Sequence, residues 1–168
     1  MLTEIKQACL HRFPGNKTDC SAFVRAVALD FGIVLTGDAD DILEHISHGN
    51  GWERIDPHLA VKSADAGILV IGGIKSNEQS PPVDHGHVVV LSGGPDNGYP
   101  KAYWGMLGTP HRNPDNNIWI MPQEDKSVSL CFHHRDLHKV KYYRHLDTKL
   151  DKTFFDLSKF LHSYFLNR

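Results

Sequence analysis

The N-terminal part of the chain places apolar side chains at helical spacing. Residues 1–13 have their apolar positions on one side of a short helix, which "FPGN" should end because proline and glycine interrupt the pattern. Over residues 19–31 the apolar positions at i, i+1, i+4, i+5 and i+8 share one face, and Gly32 follows as a stop. A third segment, "GDADDILEHISHG", begins with an aspartate that has another aspartate three residues later, as in an imperfect capping box. The pattern therefore predicts three helices.

After Trp52 the pattern changes to short apolar runs. Residues 66–73 ("AGILVIGG") and 87–94 ("HVVVLSGG") are rich in β-branched side chains and closed by glycines, which is typical of strands buried on both faces. Weaker strand patterns follow in "KAYWGML", "NNIWIM", "SVSLCF" and "KVKYYRHL". Because helices come first and strands later, we predict an α+β fold with N-terminal helices packed on an antiparallel sheet. The two apolar runs should be neighbours in that sheet.

The last part of the chain returns to a helical pattern. In residues 150–168 aromatic residues and leucines recur at helical spacing after Thr153, a candidate cap with Asp156 three residues later. We predict a C-terminal amphipathic helix that packs on the fold, with a partner-docking or interfacial helix as the alternative. Residues 1–168 have the length of a single domain and show no internal repeat.

Composition narrows the classes of function. The formal charge is −2 and the pI is near 6.6, whereas proteins that bind nucleic acids or anionic membranes need a basic face. No apolar run reaches the about 18 residues that span a bilayer, so we predict neither nucleic-acid binding nor membrane insertion. The N-terminus lacks the basic and apolar segments of a secretory signal, so we expect synthesis in the cytoplasm. Cys9, Cys20 and Cys131 have no CxxC spacing, which disfavours a disulfide framework and leaves at least one thiol free.

Cys20 lies where a polar loop meets the second predicted helix. Unpaired N–H groups and the positive end of the helix dipole stabilise a thiolate at such a position, and Thr18 or Asp19 can cap the helix. The N–H groups of the same turn could also bind the oxyanion that develops on an attacked carbonyl. Asp19 and Ser21 are therefore candidates for oxyanion or substrate binding, and His85 and Tyr103 are further candidates for the same role. The alternative is a buried, inert cysteine, which is the common state of free thiols.

His87 is the candidate base for this thiol, because it opens a buried strand directly after Gly86 and the strand fixes its direction. The alternative interpretation is an ordinary polar residue at a strand end. His85 is a rival base, since residues two apart share a face if the strand already runs through Gly86. The residues alone leave this choice open.

The twelve histidines raise the question of a metal. His134 and His138 have the i, i+4 spacing that can hold a metal ion on a helix, and His133 precedes them. No glutamate follows the first histidine as in HExxH, and the flanking "SVSLCF" resembles a strand. We therefore predict a solvated loop, no metal site and no organic cofactor. His45 and His48 are interpreted as surface residues at a helix end, where a cationic ring is favourable.

Taken in order, "DCSAFVRAVALDFGIVL", Trp52, "ADAGILVIGG" and "GHVVVLSG" resemble the NlpC-type papain-like cysteine peptidases, whose layout is a "DCSGFV" helix, a "GDLV" strand and a "GHV" strand. The resemblance covers residues 17–94 without permutation. The "YPKAYWGMLG" and "KVKYYRHL" segments and the absence of a signal peptide are most similar to the type VI secretion amidase effectors. These are small toxins that are injected into a rival's periplasm.

The resemblance implies a papain-like core and a peptidoglycan amidase that cuts the peptide stem between γ-D-glutamate and diaminopimelate. By position, Cys20 would be the nucleophile and His87 the general base. The resemblance also implies secretion machinery, action in the periplasm of a target cell, and a cognate immunity protein. Within the same fold, the alternatives are a housekeeping cell-wall peptidase and a thiol acyltransferase. A catalytically silent binding module is the alternative of a different class.

The chain departs from this family at the residue that orients the histidine. The next strand normally supplies a polar side chain there, whereas "KAYWG" offers Ala102, Tyr103 and Trp104. A backbone carbonyl, a water molecule, the Tyr103 hydroxyl or Asp84 could serve instead. Loss of a carboxylate lowers the rate of such a pair without abolishing it.

Overall fold

The structure is a computed structural model that describes residues 1–114 and 116–147. The predicted C-terminal helix over residues 150–168 lies outside the described residues. The described chain is a mixed α+β fold in which four α-helices surround a six-stranded antiparallel sheet. This agrees with the predicted fold class at that level.

Helix α1 spans Glu4–Asn16 and runs through Pro14, so the predicted end at "FPGN" is wrong. Proline has a backbone φ that suits a helix, and near the C-terminal end it removes one hydrogen bond without stopping the last turn. The Asn16 side chain caps that turn by donating to the Arg12 carbonyl at 2.8 Å. The other end is capped by Thr3, whose hydroxyl accepts from the Lys6 N–H.

Helices α2 (Cys20–Asp30) and α3 (Ala39–Ser47) lie where the apolar spacing predicts them. The capping box of α3 is complete, because the Asp38 and Asp41 side chains each accept from the other residue's N–H at 3.0 Å. Helix α4 (Pro57–Asp65) was not predicted. Its signal is nonetheless present in the sequence, since Asp56 caps the helix and Pro57 occupies its first position.

The strands described are β1 (Trp52–Ile55), β2 (Val70–Ile74), β3 (His87–Asp96), β4 (Tyr99–Trp104), β5 (His111–Arg112), β6 (Trp119–Ile120), β7 (Gln123–Ser127) and β8 (Lys141–His145).

The large sheet has the strand order β1-β8-β2-β3-β4-β7, and every neighbouring pair is antiparallel. The predicted neighbours β2 and β3 are confirmed. A separate two-stranded sheet joins β5 to β6. The segment "SVSLCF" is not a strand, because a 3-10 helix at Val128–Leu130 follows β7 directly.

Strand β3 contributes to two hydrophobic cores. Val88 and Val90 belong to the core formed with α1, α2 and α3, whereas Val89 and Leu91 belong to the core on the α4 side. Alternate residues of a strand point to opposite faces, so β3 is covered on both, as its continuous apolar run predicts. His87 has the same parity as Val89 and Leu91.

Candidate active site

Cys20 is the first residue of α2 and is 3% exposed. Asp19 caps this helix, because its Oδ1 accepts from the N–H groups of Ser21 at 2.8 Å and Ala22 at 3.0 Å. The loop before the helix is packed against the end of β4. A Cβ on Gly105 would lie 2.6 Å from the Asn16 carbonyl oxygen and 2.7 Å from that of Asp19. Only glycine therefore allows the approach that holds the Cys20 turn in place.

His87 is the first residue of β3 and pairs with Ile74 of β2. The preceding Gly86 is buried against α3, where a Cβ would lie 3.0 Å from the Ile74 carbonyl oxygen and 3.3 Å from the Ala39 Cβ. This close packing fixes the start of the strand and thereby the direction of the His87 side chain.

Cys20 and His87 are brought together by the ends of α2 and β3. Both side chains line one cavity, and the His87 ring and the Val88 N–H are close enough to the Cys20 sulfur to affect its pKa. Burial alone would raise the pKa of Cys20, but the His87 charge and the nearby His87, Val88 and Ser21 donors together lower it. Burial would likewise lower the pKa of His87, yet the neighbouring sulfurs of Cys131 and Cys20 raise it well above its ordinary value. The opposite shifts favour a thiolate–imidazolium pair.

The first turn of α2 offers fewer oxyanion donors than the sequence suggests. The Ser21 and Ala22 N–H groups donate to the Asp19 carboxylate, and the Phe23 N–H donates to the Asp19 carbonyl at 3.0 Å. The Cys20 N–H is the donor of this turn that the cap does not use. Asp19 thus acts as a cap that occupies two donors of the turn, and oxyanion binding by this turn stays a prediction that rests on the Cys20 N–H.

Cys131 is a third group of this site, which no motif in the sequence indicated. Its side chain lines the same cavity as His87 and is close enough to affect the pKa of the ring. The Phe132 ring packs edge-on against the imidazole, with centroids 5.5 Å apart and an interplanar angle of 70°. The segment follows the 3-10 helix Val128–Leu130, where we predicted a strand. Its only signal in the sequence was a thiol without an assigned partner.

The other candidate residues have varied positions. Ser21 is 5% exposed, and its Oγ lies 3.9 Å from the Cys20 sulfur. His85 is exposed and precedes the strand, so the condition under which it would share a face with His87 is not met. Tyr103 is 4% exposed and packs in the core that contains Cys9, where burial raises the pKa of its hydroxyl. Asp84 lies in an exposed loop. The structure thus places Ser21 beside Cys20 and leaves Tyr103 in the core. His85 lines the same cavity as Cys20 and His87.

A cavity of about 360 Å³ opens over the pair, and Cys20, His87 and Cys131 lie in its wall. A second cavity of about 560 Å³ lies beyond Met106, which lines both. Lys17 and Thr18, from the loop before Cys20, line the second cavity. An extended ligand could therefore cross the Cys20 turn from one cavity to the other.

The predicted solvated loop around His134 and His138 is a 3-10 helix, His134–Lys139, which begins after His133. Within residues 1–114 and 116–147 no group of three or more histidine, cysteine or acidic side chains could hold a metal ion. None of the helices described is both long enough and apolar enough to cross a bilayer. His45 lies in the last turn of α3 and His48 at its C-cap, as predicted.

A comparison with curated proteins finds the peptidoglycan amidase Tse1 of Pseudomonas aeruginosa, which is 27% identical over 132 residues. The match covers 76% of this chain and 75% of the relative. The chain is distantly related to a peptidoglycan amidase. No protein-family model matches the sequence.

Proposed function

We propose that this protein is a cysteine-dependent peptidoglycan amidase in which Cys20 is the nucleophile and His87 the general base. The observation that carries the proposal is the meeting of Cys20, at the start of α2, with His87, at the start of β3, in the wall of one cavity, where their pKa values shift in opposite directions. Active sites are where such shifts are concentrated. The distant relationship to a peptidoglycan amidase supports the choice of substrate.

The reaction would proceed in two steps. The Cys20 thiolate attacks the amide carbonyl, and the Cys20 N–H stabilises the oxyanion. The C–N bond then breaks as imidazolium His87 gives its proton to the leaving amine, which leaves a thioester on Cys20. In the second step His87 takes a proton from water, the resulting hydroxide attacks the thioester, and the Cys20 thiolate departs from a free carboxylate product.

The scissile bond, in this proposal, joins γ-D-glutamate to diaminopimelate in the peptide stem. We further propose a single papain-like, NlpC-type domain that acts as a type VI secretion effector. It would be secreted into the periplasm of a target cell and blocked there by a cognate immunity protein. These finer assignments follow the resemblance of the "DCSAFV" and "GHVVVL" segments.

The test is to incubate purified sacculi with the wild type, Cys20→Ala and Cys9→Ala, and to identify the soluble products by mass spectrometry. Cys9 is a fully buried thiol in the core with α1, so its variant is a matched control for loss of a cysteine. New diaminopimelate amino groups should appear with the wild type and Cys9→Ala and disappear with Cys20→Ala. Absence of cleavage by a natively folded wild type refutes the proposal.

A second experiment tests the effector role. The protein is directed to the periplasm of a Gram-negative host, and lysis is compared with that caused by cytoplasmic expression. Lysis should require periplasmic export and should be lost in both Cys20→Ala and His87→Ala. Equal harmlessness in both compartments contradicts the effector role, even if sacculi are cleaved in vitro.

A further inference from the structure

The His87 ring has protein groups against it on more than one side. Cys20, at the start of α2, and Cys131, in the segment after β7, line the same cavity as His87, and Cys131 packs on the same core as Phe132. The Phe132 ring packs edge-on against the same imidazole. This arrangement follows from the parity of β3, because His87 shares the parity of Val89 and Leu91, which belong to the same core as Phe132.

We propose that Cys131 is the positioning residue for His87, with its sulfur taking the place of the polar side chain that orients the base in a catalytic triad. This inference rests on the proposed function of the Cys20–His87 pair. It assigns a role to a thiol outside the strand after His87, where the sequence offers alanine, tyrosine and tryptophan.

Hydrogen bonds fix the backbone at Cys131. The Cys131 N–H donates to the Val128 carbonyl at 3.0 Å, and the Phe132 N–H donates to the same carbonyl at 3.2 Å. Val128 is fully buried, and Ser127 caps the turn by accepting from the Ser129 N–H. A group that orients another must itself be immobile, and this turn meets that requirement.

The pKa values of Cys131 and Cys20 shift in opposite directions. Burial raises the pKa of the Cys131 thiol, and the Cys20 sulfur raises it further, although His87 opposes both. Cys20, whose pKa is lowered, is therefore the thiol that ionises first. The Cys131 sulfur lies in the same cavity wall as His87 and packs on the core that contains Phe132, so it can accept a hydrogen bond from the ring, support its protonated form and limit its rotation.

The test measures how fast iodoacetamide modifies Cys20 as a function of pH, with peptide mass spectrometry to separate Cys20 from the other thiols. The wild type is compared with Cys131→Ala, which removes the acceptor, and Cys131→Ser, which restores one. Cys9→Ala is the control for loss of a buried thiol. Thermal melts of each variant report folding separately.

In Cys131→Ala the imidazolium should be less stable, so that a smaller share of the protein holds the thiolate–imidazolium pair and Cys20 modification at pH 6 is about three- to tenfold slower, the effect of one net hydrogen bond. Cys131→Ser should recover the wild-type pH profile, and Cys9→Ala should not change it. In muropeptide cleavage, Cys131→Ala should lower kcat and leave KM unchanged.

An unchanged pH profile in a folded Cys131→Ala protein overturns the inference. So does an equal shift in Cys131→Ala and Cys131→Ser, because that result indicates packing instead of hydrogen bonding. Both outcomes leave cleavage of sacculi by the wild type intact. Conversely, failure of the wild type to cleave sacculi refutes the proposed function, while the alkylation profiles still measure the coupling of Cys131 to His87.

Discussion

Replacement of His87 by phenylalanine is expected to reverse the direction of the pKa shift of Cys20. The wild-type thiol has a lowered pKa because the interaction with His87 outweighs burial. Phenylalanine keeps a ring next to Phe132, which holds water out, but it has neither charge nor N–H. Burial of this 3% exposed thiol, the largest single influence, is then opposed only by Val88 and Ser21, so the pKa of Cys20 should rise above the ordinary value of about 8.5.

The magnitude follows from the contact that is lost. A charge of opposite sign within hydrogen-bonding distance shifts a pKa by about 1 to 3 units. His87→Phe should therefore have about ten- to a thousandfold less thiolate at pH 7 than the wild type. The assay is an ultraviolet titration of thiolate absorbance, combined with the rate at which Cys20 reacts with iodoacetamide.

His85→Phe is the matched control, because His85 lines the same cavity but is exposed and lies before the strand. That variant should retain the wild-type titration. The reasoning is refuted if His87→Phe, folded as judged by circular dichroism, still titrates below the ordinary thiol value. It is also refuted if His85→Phe produces the larger shift, since His85 would then be the partner of Cys20.

Three further predictions concern the same turn. Gly105→Ala places a Cβ against two backbone carbonyls, so we expect about 1–3 kcal/mol less stability in urea and slower Cys20 alkylation; unchanged stability would show that the loop can move away freely. Asp19→Ala removes the acceptor of two N–H groups, so we expect about 1 kcal/mol less stability and slower alkylation of Cys20. Asp38→Ala, the matched cap of α3, should lower stability by a similar amount without slowing alkylation of Cys20. Similar slowing in both variants would contradict a local effect. The kcat/KM for muropeptides should rise with pH through the lowered pKa of Cys20 and fall through the raised pKa of His87. The reason is that activity needs the thiolate and the imidazolium together. An acid limb whose midpoint lies at or above about pH 8.5 would argue against this pair.

Local signals in the sequence predicted much of the fold. The apolar face and the aspartate at its start located α2, the two aspartates located α3, and the continuous apolar runs gave β2 and β3 as neighbours. Each of these signals lies within the element that it describes. The same kind of signal is present for α4 in Asp56 and Pro57, but the apolar spacing after them is too weak to predict a helix.

The parts that were missed depend on contacts between distant segments. Pro14 reads as a helix end when only its neighbours are considered, yet α1 packs on α2 and keeps its last turn. Cys131 follows a 3-10 helix whose β-branched and apolar residues resemble the sequence of a strand. Its approach to His87 depends on how β7 pairs with β4, and no local pattern in the sequence records that register.

The double coverage of β3 has a consequence for how this protein would tolerate mutation. A slip of one residue along the strand would exchange Val88 and Val90 with Val89 and Leu91, so both cores would have to repack at once. The same slip would rotate His87 away from Cys20. The position of His87 relative to Cys20 therefore depends on buried apolar residues of β3 that pack in both cores. A variant that keeps the composition of β3 but packs it less tightly should lose catalytic activity before it unfolds.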